Sequence, residues 1–223
     1  MCLDNLPSFP QIESLAPSEI EKKSMELIRS ELSFRKIVLD AENEPTIMRC
    51  IHASADFDYA ANLVFSHGAV QKIKRILGEE KPVIVTDTNM ALSGISASVC
   101  RMHGIEKVCF MADDDVRSES EKSGLTRAAC SVDKAARIFG SDARRPVVFA
   151  VGNAPTALVR IRELYDAGIF RPEFVIGVPV GFVNVVQAKE LILQSGMDYV
   201  VARGRKGGST IAAAIINSFL YQL

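Results

Sequence analysis

Val147-Val148-Phe149-Ala150-Val151, running directly into Gly152-Asn153-Ala154-Pro155-Thr156-Ala157-Leu158, is an apolar run without polar alternation, followed by a glycine turn and a helix-like segment. A strand that is apolar on both sides is buried on both faces, which is the mark of a parallel sheet covered by helices. The pattern recurs from residue 82 onward in Pro82-Val83-Ile84-Val85-Thr86, Lys107-Val108-Cys109-Phe110-Met111, Phe174-Val175-Ile176-Gly177-Val178 and Tyr199-Val200-Val201-Ala202. These runs, each followed by a helix-like segment, predict an α/β domain with a doubly wound, mainly parallel five-stranded sheet. Residues 1–16 read as an N-terminal extension and 17–223 as a single α/β domain, because no linker is long enough to divide the rest.

Helix signals agree. Ser18-Glu19-Ile20-Glu21 matches a capping box, and Ile20, Ser24, Ile28 and Leu32 recur along one helical face. Ser24 on that face either bonds a backbone carbonyl or turns toward a ligand, and the first is the ordinary outcome.

Ligands of doubly wound sheets sit beyond the carboxyl ends of the strands. The segments there are Asp87-Thr88-Asn89-Met90, the acidic Asp113-Asp114-Asp115 with Gly124-Leu125-Thr126-Arg127 further on, Gly152-Asn153-Ala154-Pro155-Thr156, Pro179-Val180-Gly181-Phe182, and Arg203-Gly204-Arg205-Lys206-Gly207-Gly208-Ser209-Thr210. Small residues let backbone approach a ligand, and Asn153 and Thr156 offer uncharged hydrogen bonds. The last segment places three cations, three glycines and two hydroxyls before the small-residue helix Ile211-Ala212-Ala213-Ala214. That combination suits a carboxylate or phosphate at a helix N-terminus. The P-loop spacing is absent, since Lys206 precedes its glycines, so nucleotide hydrolysis is not the first reading. The plain alternative is a solvated glycine turn.

Of three histidines, His52 has the most suggestive setting, ahead of Asp56 and Asp58, either of which could orient its ring. A histidine before two aspartates is also a common structural arrangement. His67 is expected in the first turn of a helix over Ser66-His67-Gly68-Ala69-Val70, and His103 at a helix end, where a cation meets the dipole.

A hydrophobic content of 48% and a formal charge of −1 describe a globular chain without the basic excess of a nucleic-acid binder. No apolar run reaches the roughly 18 residues of a membrane span, and Met1-Cys2-Leu3-Asp4-Asn5-Leu6 lacks signal-peptide character, so a cytoplasmic location is expected. Cys2, Cys50, Cys100, Cys109 and Cys130 are scattered without metal-ligand spacing and are expected as reduced thiols, with no metal site.

Together, Ile51-His52 with Asp56-Phe57-Asp58, Thr86-Asp87-Thr88 with Met90 and Gly94-Ile95, Thr126-Arg127, Gly152-Asn153-Ala154-Pro155-Thr156-Ala157-Leu158, Gly177-Val178-Pro179-Val180-Gly181-Phe182-Val183 and Gly204-Arg205-Lys206-Gly207-Gly208-Ser209 resemble the precorrin-8X methylmutase family, including its cobalt-precorrin-8 branch. The resemblance runs from about Pro17 to the C-terminus. It implies a flavodoxin-like fold, usually a homodimer, and a cobalamin-biosynthesis isomerase that moves a methyl group from C11 to C12 of its corrinoid substrate, giving hydrogenobyrinate or cobyrinate. It implies no separate cofactor, since any cobalt arrives with the substrate. The family's proton-donating histidine falls on His52, and its hydroxyl after Gly-Ile, commonly threonine, falls on Ser96. Met25 stands where the family often has an aromatic residue.

A large ring fringed by carboxylates needs an apolar floor and cations or N–H groups around its rim. Ser96, Arg127, Asn153, Thr156, Arg203, Arg205, Lys206, Gly207, Gly208 and Ser209 are therefore the expected substrate contacts. A non-catalytic corrinoid carrier would need the same site. A nucleotide-dependent enzyme is disfavoured by the displaced lysine.

Overall fold

The computed structural model describes residues 15–140 and 145–223. The chain forms two compact units, Met1–Val38 and Leu39–Leu223. Most of the expected N-terminal extension, Cys2 included, lies outside the described residues. The first unit carries helix α1 (Pro17–Phe34). Its N-cap is Ala16, two residues before the expected Ser18, and Pro17 occupies the first helical position. Proline suits that position because its missing N–H would have no helical partner. The Glu19 carboxylate accepts from the Ala16 N–H at 3.1 Å, and the Ser24 hydroxyl donates to the Ile20 carbonyl at 2.8 Å.

The second unit opens with α2 (Glu44–Ser54), α3 (Tyr59–Asn62), β1 (Leu63–Phe65) and α4 (Ala69–Glu79). Then come β2 (Val83–Thr86), α5 (Asn89–Gly94), α6 (Ala97–Met102), β3 (Glu106–Val108), α7 (Asp114–Ser123) and α8 (Arg127–Phe139). The chain closes with β4 (Val147–Val151), α9 (Pro155–Asp166), β5 (Phe174–Gly177), α10 (Val185–Leu193), β6 (Tyr199–Ala202) and α11 (Ser209–Leu220). Gly68 takes φ +67° as the N-cap of α4, so His67 precedes this helix instead of lying in its first turn. His103 is the C-cap of α6, as expected.

Among the described residues the sheet has six strands in the order β1-β6-β5-β4-β2-β3. The five expected strands are parallel and, counted by themselves, follow the order 2-1-3-4-5 of doubly wound sheets. The sixth, β1, is antiparallel on β6, with Leu63 opposite Ala202 and Phe65 opposite Val200. Three residues are too few to display a period, and their partner lies far along the chain.

Every residue of β2, β4 and β5 is buried, as their unbroken apolar runs require. Val83, Val85, Val147, Phe149, Val175 and Val201 form one core with residues of α8, α9 and α10. Phe149 meets Phe170 edge-on at 6.1 Å, a favoured aromatic geometry. Helix α11 covers the other face and packs against α2, α4 and α5. No described helix is long and apolar enough to cross a membrane. Cys50, Cys100, Cys109 and Cys130 are free thiols.

Candidate active site

Parallel strands all end on one edge, so the segments after β2, β4, β5 and β6 are neighbours there. Between β2 and β4 the winding reverses, and this topological switch point is where ligands of such sheets gather. Asp87 stands at that point and is 5% exposed. Its Oδ1 accepts from the Gly152 N–H at 2.8 Å, and its Oδ2 accepts from Asn153 and Ala154 at 2.8 and 2.7 Å. Burial pushes the carboxyl upward from its ordinary range, while the three N–H groups pull against that shift by stabilising the anion. The carboxylate thus ties the end of β2 to the turn after β4.

The adjoining Thr88 caps α5 by accepting from the Ala91 N–H at 3.1 Å and shares a 2.7 Å hydrogen bond with the Ser209 hydroxyl. Gly152 has no room for a side chain, because a Cβ there would lie 2.6 Å from Ser209 Cα. Three strand ends are therefore tied together by the Asp87 carboxylate, by the Thr88–Ser209 hydroxyl pair and by the close approach of Gly152 to Ser209. Asp87 is a site-building residue that a search for substrate contacts misses; its signal is an aspartate at the end of a buried strand, with a glycine turn elsewhere in need of acceptors.

His52 reaches the same edge by helix packing. Helix α2 lies against α11, and near its start the Thr46 hydroxyl meets Ser218, close to the end of α11, at 2.9 Å. Beyond its other end, Asp56 and Asp58 each approach Lys206 Nζ, just before α11, at 2.6 Å. The two helices therefore run antiparallel, which brings the last turn of α2, where His52 is exposed, toward the end of α11 that the glycine loop precedes. The aspartates do not orient the imidazole as expected. They hold Lys206, whose hydrogen bond keeps the Asp56 carboxyl below its ordinary range. Among the described residues the His52 imidazole makes no hydrogen bond or ion pair. Next to it, Ala53 lines an open groove of about 360 Å³ with Arg49, Met90, Gly94, Thr210, Ala213 and others.

The four expected rim cations differ in freedom. Arg203 is held by Glu190 through two 3.0 Å hydrogen bonds, and Lys206 by its two aspartates. The Arg205 guanidinium lies over the Phe182 ring at 5.4 Å, a geometry that leaves its edge N–H groups available. Arg127 is exposed at the start of α8 and enters no ion pair among the described residues. It is drawn to this edge by Thr126, whose hydroxyl meets that of Thr156 at 2.8 Å. Asn153 is exposed beside them.

Gly207 and Gly208 adopt φ values of +156° and +131°, and a Cβ on Gly207 would run into the Val178 carbonyl. The Gly208 N–H donates to that same carbonyl at 2.8 Å. Ser96 stands apart. Its hydroxyl caps α6, and its N–H donates to Asn217 at 2.9 Å. Asn217 lies two turns past Ser209 on α11, about 12 Å along the helix axis. No three His, Cys, Asp or Glu side chains gather as a metal cluster among the described residues.

Fold and edge define a class: a doubly wound α/β protein with a candidate site for an anionic ligand at the carboxyl ends of its strands. The chain belongs to the precorrin-8X methylmutase family, whose profile (CbiC, precorrin-8X methylmutase) matches residues 19–222. The cobalt-precorrin-8 methylmutase of Salmonella typhimurium is 40% identical over 81% of this chain and 82% of its own. The protein of that name from Priestia megaterium is 35% identical over 92% and 88%, and the precorrin-8X methylmutase of Pseudomonas aeruginosa is 34% identical over 89% and 92%. A crystal structure of precorrin-8X methyl mutase from Thermus thermophilus superposes with a TM-score of 0.80 at 32% identity, covering 91% of this chain and 96% of that one. The chain is thus an isomerase of cobalamin biosynthesis.

Proposed function

We propose that this protein moves a methyl group from C11 to C12 of precorrin-8X or its cobalt-containing form, with His52 as proton donor to the macrocycle. The observation that supports this reading is the antiparallel packing of α2 on α11, which brings the turn of α2 that carries His52 to the strand-end edge, with its neighbour Ala53 lining the groove. A methyl carbon offers no handle for a nucleophile. A side chain helps instead by selecting the reactive protonation state of the conjugated ring, and an imidazole is matched to a ring nitrogen near neutral pH. The test is anaerobic incubation with precorrin-8X and, separately, cobalt-precorrin-8. Isomerisation changes the absorbance at constant mass, whereas a carrier would bind the corrinoid and return it unchanged.

Arg127 and Arg205 are the cations left able to meet substrate carboxylates. A charged hydrogen bond in a partly buried site contributes about 1.5–3 kcal/mol, or about ten- to a hundredfold in affinity. Arg127→Gln should weaken cobyrinate binding within that range, with added salt weakening the wild type more than the variant. Calorimetric titration giving equal affinities would remove Arg127 from the rim.

The active form in this reading is a homodimer. Phe182, Val183 and Met90 near the site are 81%, 77% and 68% exposed, an apolar surface that a second copy would cover. Light scattering should return about twice the 24.3 kDa chain mass. A fully active monomer at micromolar concentration would rule out a shared site.

A further inference from the structure

Lys189 lies on α10 outside every motif considered above, and it is 0% exposed. An ammonium so fully withdrawn from water ordinarily needs a carboxylate. Here none approaches. The Nζ donates instead to two main-chain carbonyls, those of Gly204 and Lys206, at 2.8 Å each. Charged groups on the neighbouring elements are engaged elsewhere. Arg162 of α9 pairs with Asp166, and Arg160 with Asp133 and Glu163. Glu190 holds Arg203, Lys206 reaches Asp56 and Asp58, and Arg205 lies over Phe182. On the sheet, β5 carries no titratable side chain and β6 only Tyr199.

Both acceptors belong to the glycine loop, one on each side of Arg205. Gly204 at φ +79° and Gly207 at φ +156° give this loop a path that ordinary side chains disfavour. Glycines also leave the unfolded loop more conformations to lose. The main chain is tied at Arg203 N–H to Asn62, at the Arg205 carbonyl to Gly181 N–H and at Gly208 N–H to Val178, while the carbonyls of Gly204 and Lys206 are held by Lys189. One ammonium with its charge-assisted bonds does so without occupying the ligand side.

We propose that Lys189 is a positioning residue of the methylmutase: by clamping the carbonyls of Gly204 and Lys206 it holds the loop over residues 203–209 in the shape that meets the corrinoid. This rests on the reading of that loop as part of the substrate site. Burial lowers the ammonium from its ordinary 10.5 to about 8, so the clamp is charged and strongest below that pH and weakens above it. Folding stability responds in the opposite sense. The unfolded chain holds this proton more tightly than the folded one between about pH 8 and 10.5, so the residue's contribution to stability rises across that interval while its grip on the loop falls. A purely structural lysine would leave the affinity for the corrinoid unchanged across this interval.

The test compares wild type, Lys189→Met, Lys189→Arg and Arg205→Gln. Amide hydrogen exchange in a peptide spanning residues 203–208 should be about tenfold faster in Lys189→Met, and its affinity for cobyrinate at least about tenfold weaker at pH 7, since both bonds to the loop carbonyls are lost. In turnover the loss should appear in KM more than in kcat, because the loop binds ground and transition states alike. Wild-type affinity should decline from pH 7.5 to about 9, whereas Lys189→Arg, charged throughout, should hold its affinity over that range. Loop exchange unchanged in folded Lys189→Met would overturn the clamp itself. Faster exchange with unchanged cobyrinate affinity would overturn its role in binding. If Arg205→Gln also bound as wild type, the assignment of the loop to the substrate would fall with it.

Discussion

His52→Ala should convert precorrin-8X about 10²–10⁴-fold more slowly than the wild type, the usual contribution of a positioned general acid. Binding of the corrinoid product should stay within about threefold of wild type, because a proton donor acts chiefly in the transition state. The imidazole is exposed and unpaired, so its removal leaves no buried partner and no cavity. Thermal stability should therefore hardly change, which separates lost chemistry from lost fold. Single-turnover absorbance measurement under anaerobic conditions reads the rate. Wild-type turnover by the variant would end the assignment of His52 as proton donor.

Asp87→Asn should give the largest loss of stability among the site substitutions. The carboxylate accepts three main-chain N–H groups, one on Oδ1 and two on Oδ2. An amide has a single acceptor oxygen, so in either orientation its NH₂ faces one or two donors, which lose their acceptor. Each buried donor left unpaired costs about 1–3 kcal/mol. The expected destabilisation is about 2–4 kcal/mol, which for a chain of this size lowers Tm by roughly 4–16 °C. The turn 152–154 carries Asn153 and packs Gly152 against Ser209, so corrinoid affinity should fall as well. Denaturant unfolding with an unchanged midpoint would show that the N–H groups find other acceptors and that Asp87 does not lock the switch point.

The identity of the parallel strands was legible because a strand buried on both faces must be continuously apolar, as Val147 to Val151 is. The same reasoning placed the glycine loop before a helix, and α11 begins at Ser209. The cap of α1 was displaced because proline at the first helical position and Glu19 reaching back to Ala16 do the work assigned to Ser18. Edge strand β1 was illegible because antiparallel pairing with β6 depends on which distant segment arrives beside it.

Local pattern alone determined the fold class and the residue types that gather at the strand ends, because burial periodicity and turn chemistry are written over short spans of chain. Which charges stay free was decided only in three dimensions. Lys206 meets Asp56 and Asp58, while Asp87 meets the turn at Gly152, across separations that no spacing rule covers. Lys189 entered no motif, because its two partners are main-chain carbonyls of a loop that leaves no mark on the sequence around it. Pairings of this kind depend on how helices stack on a finished sheet, so the tertiary structure is what divides His52, Arg127 and Arg205, left exposed and without an ion pair among the described residues, from Arg203, Lys206 and Lys189, which are held.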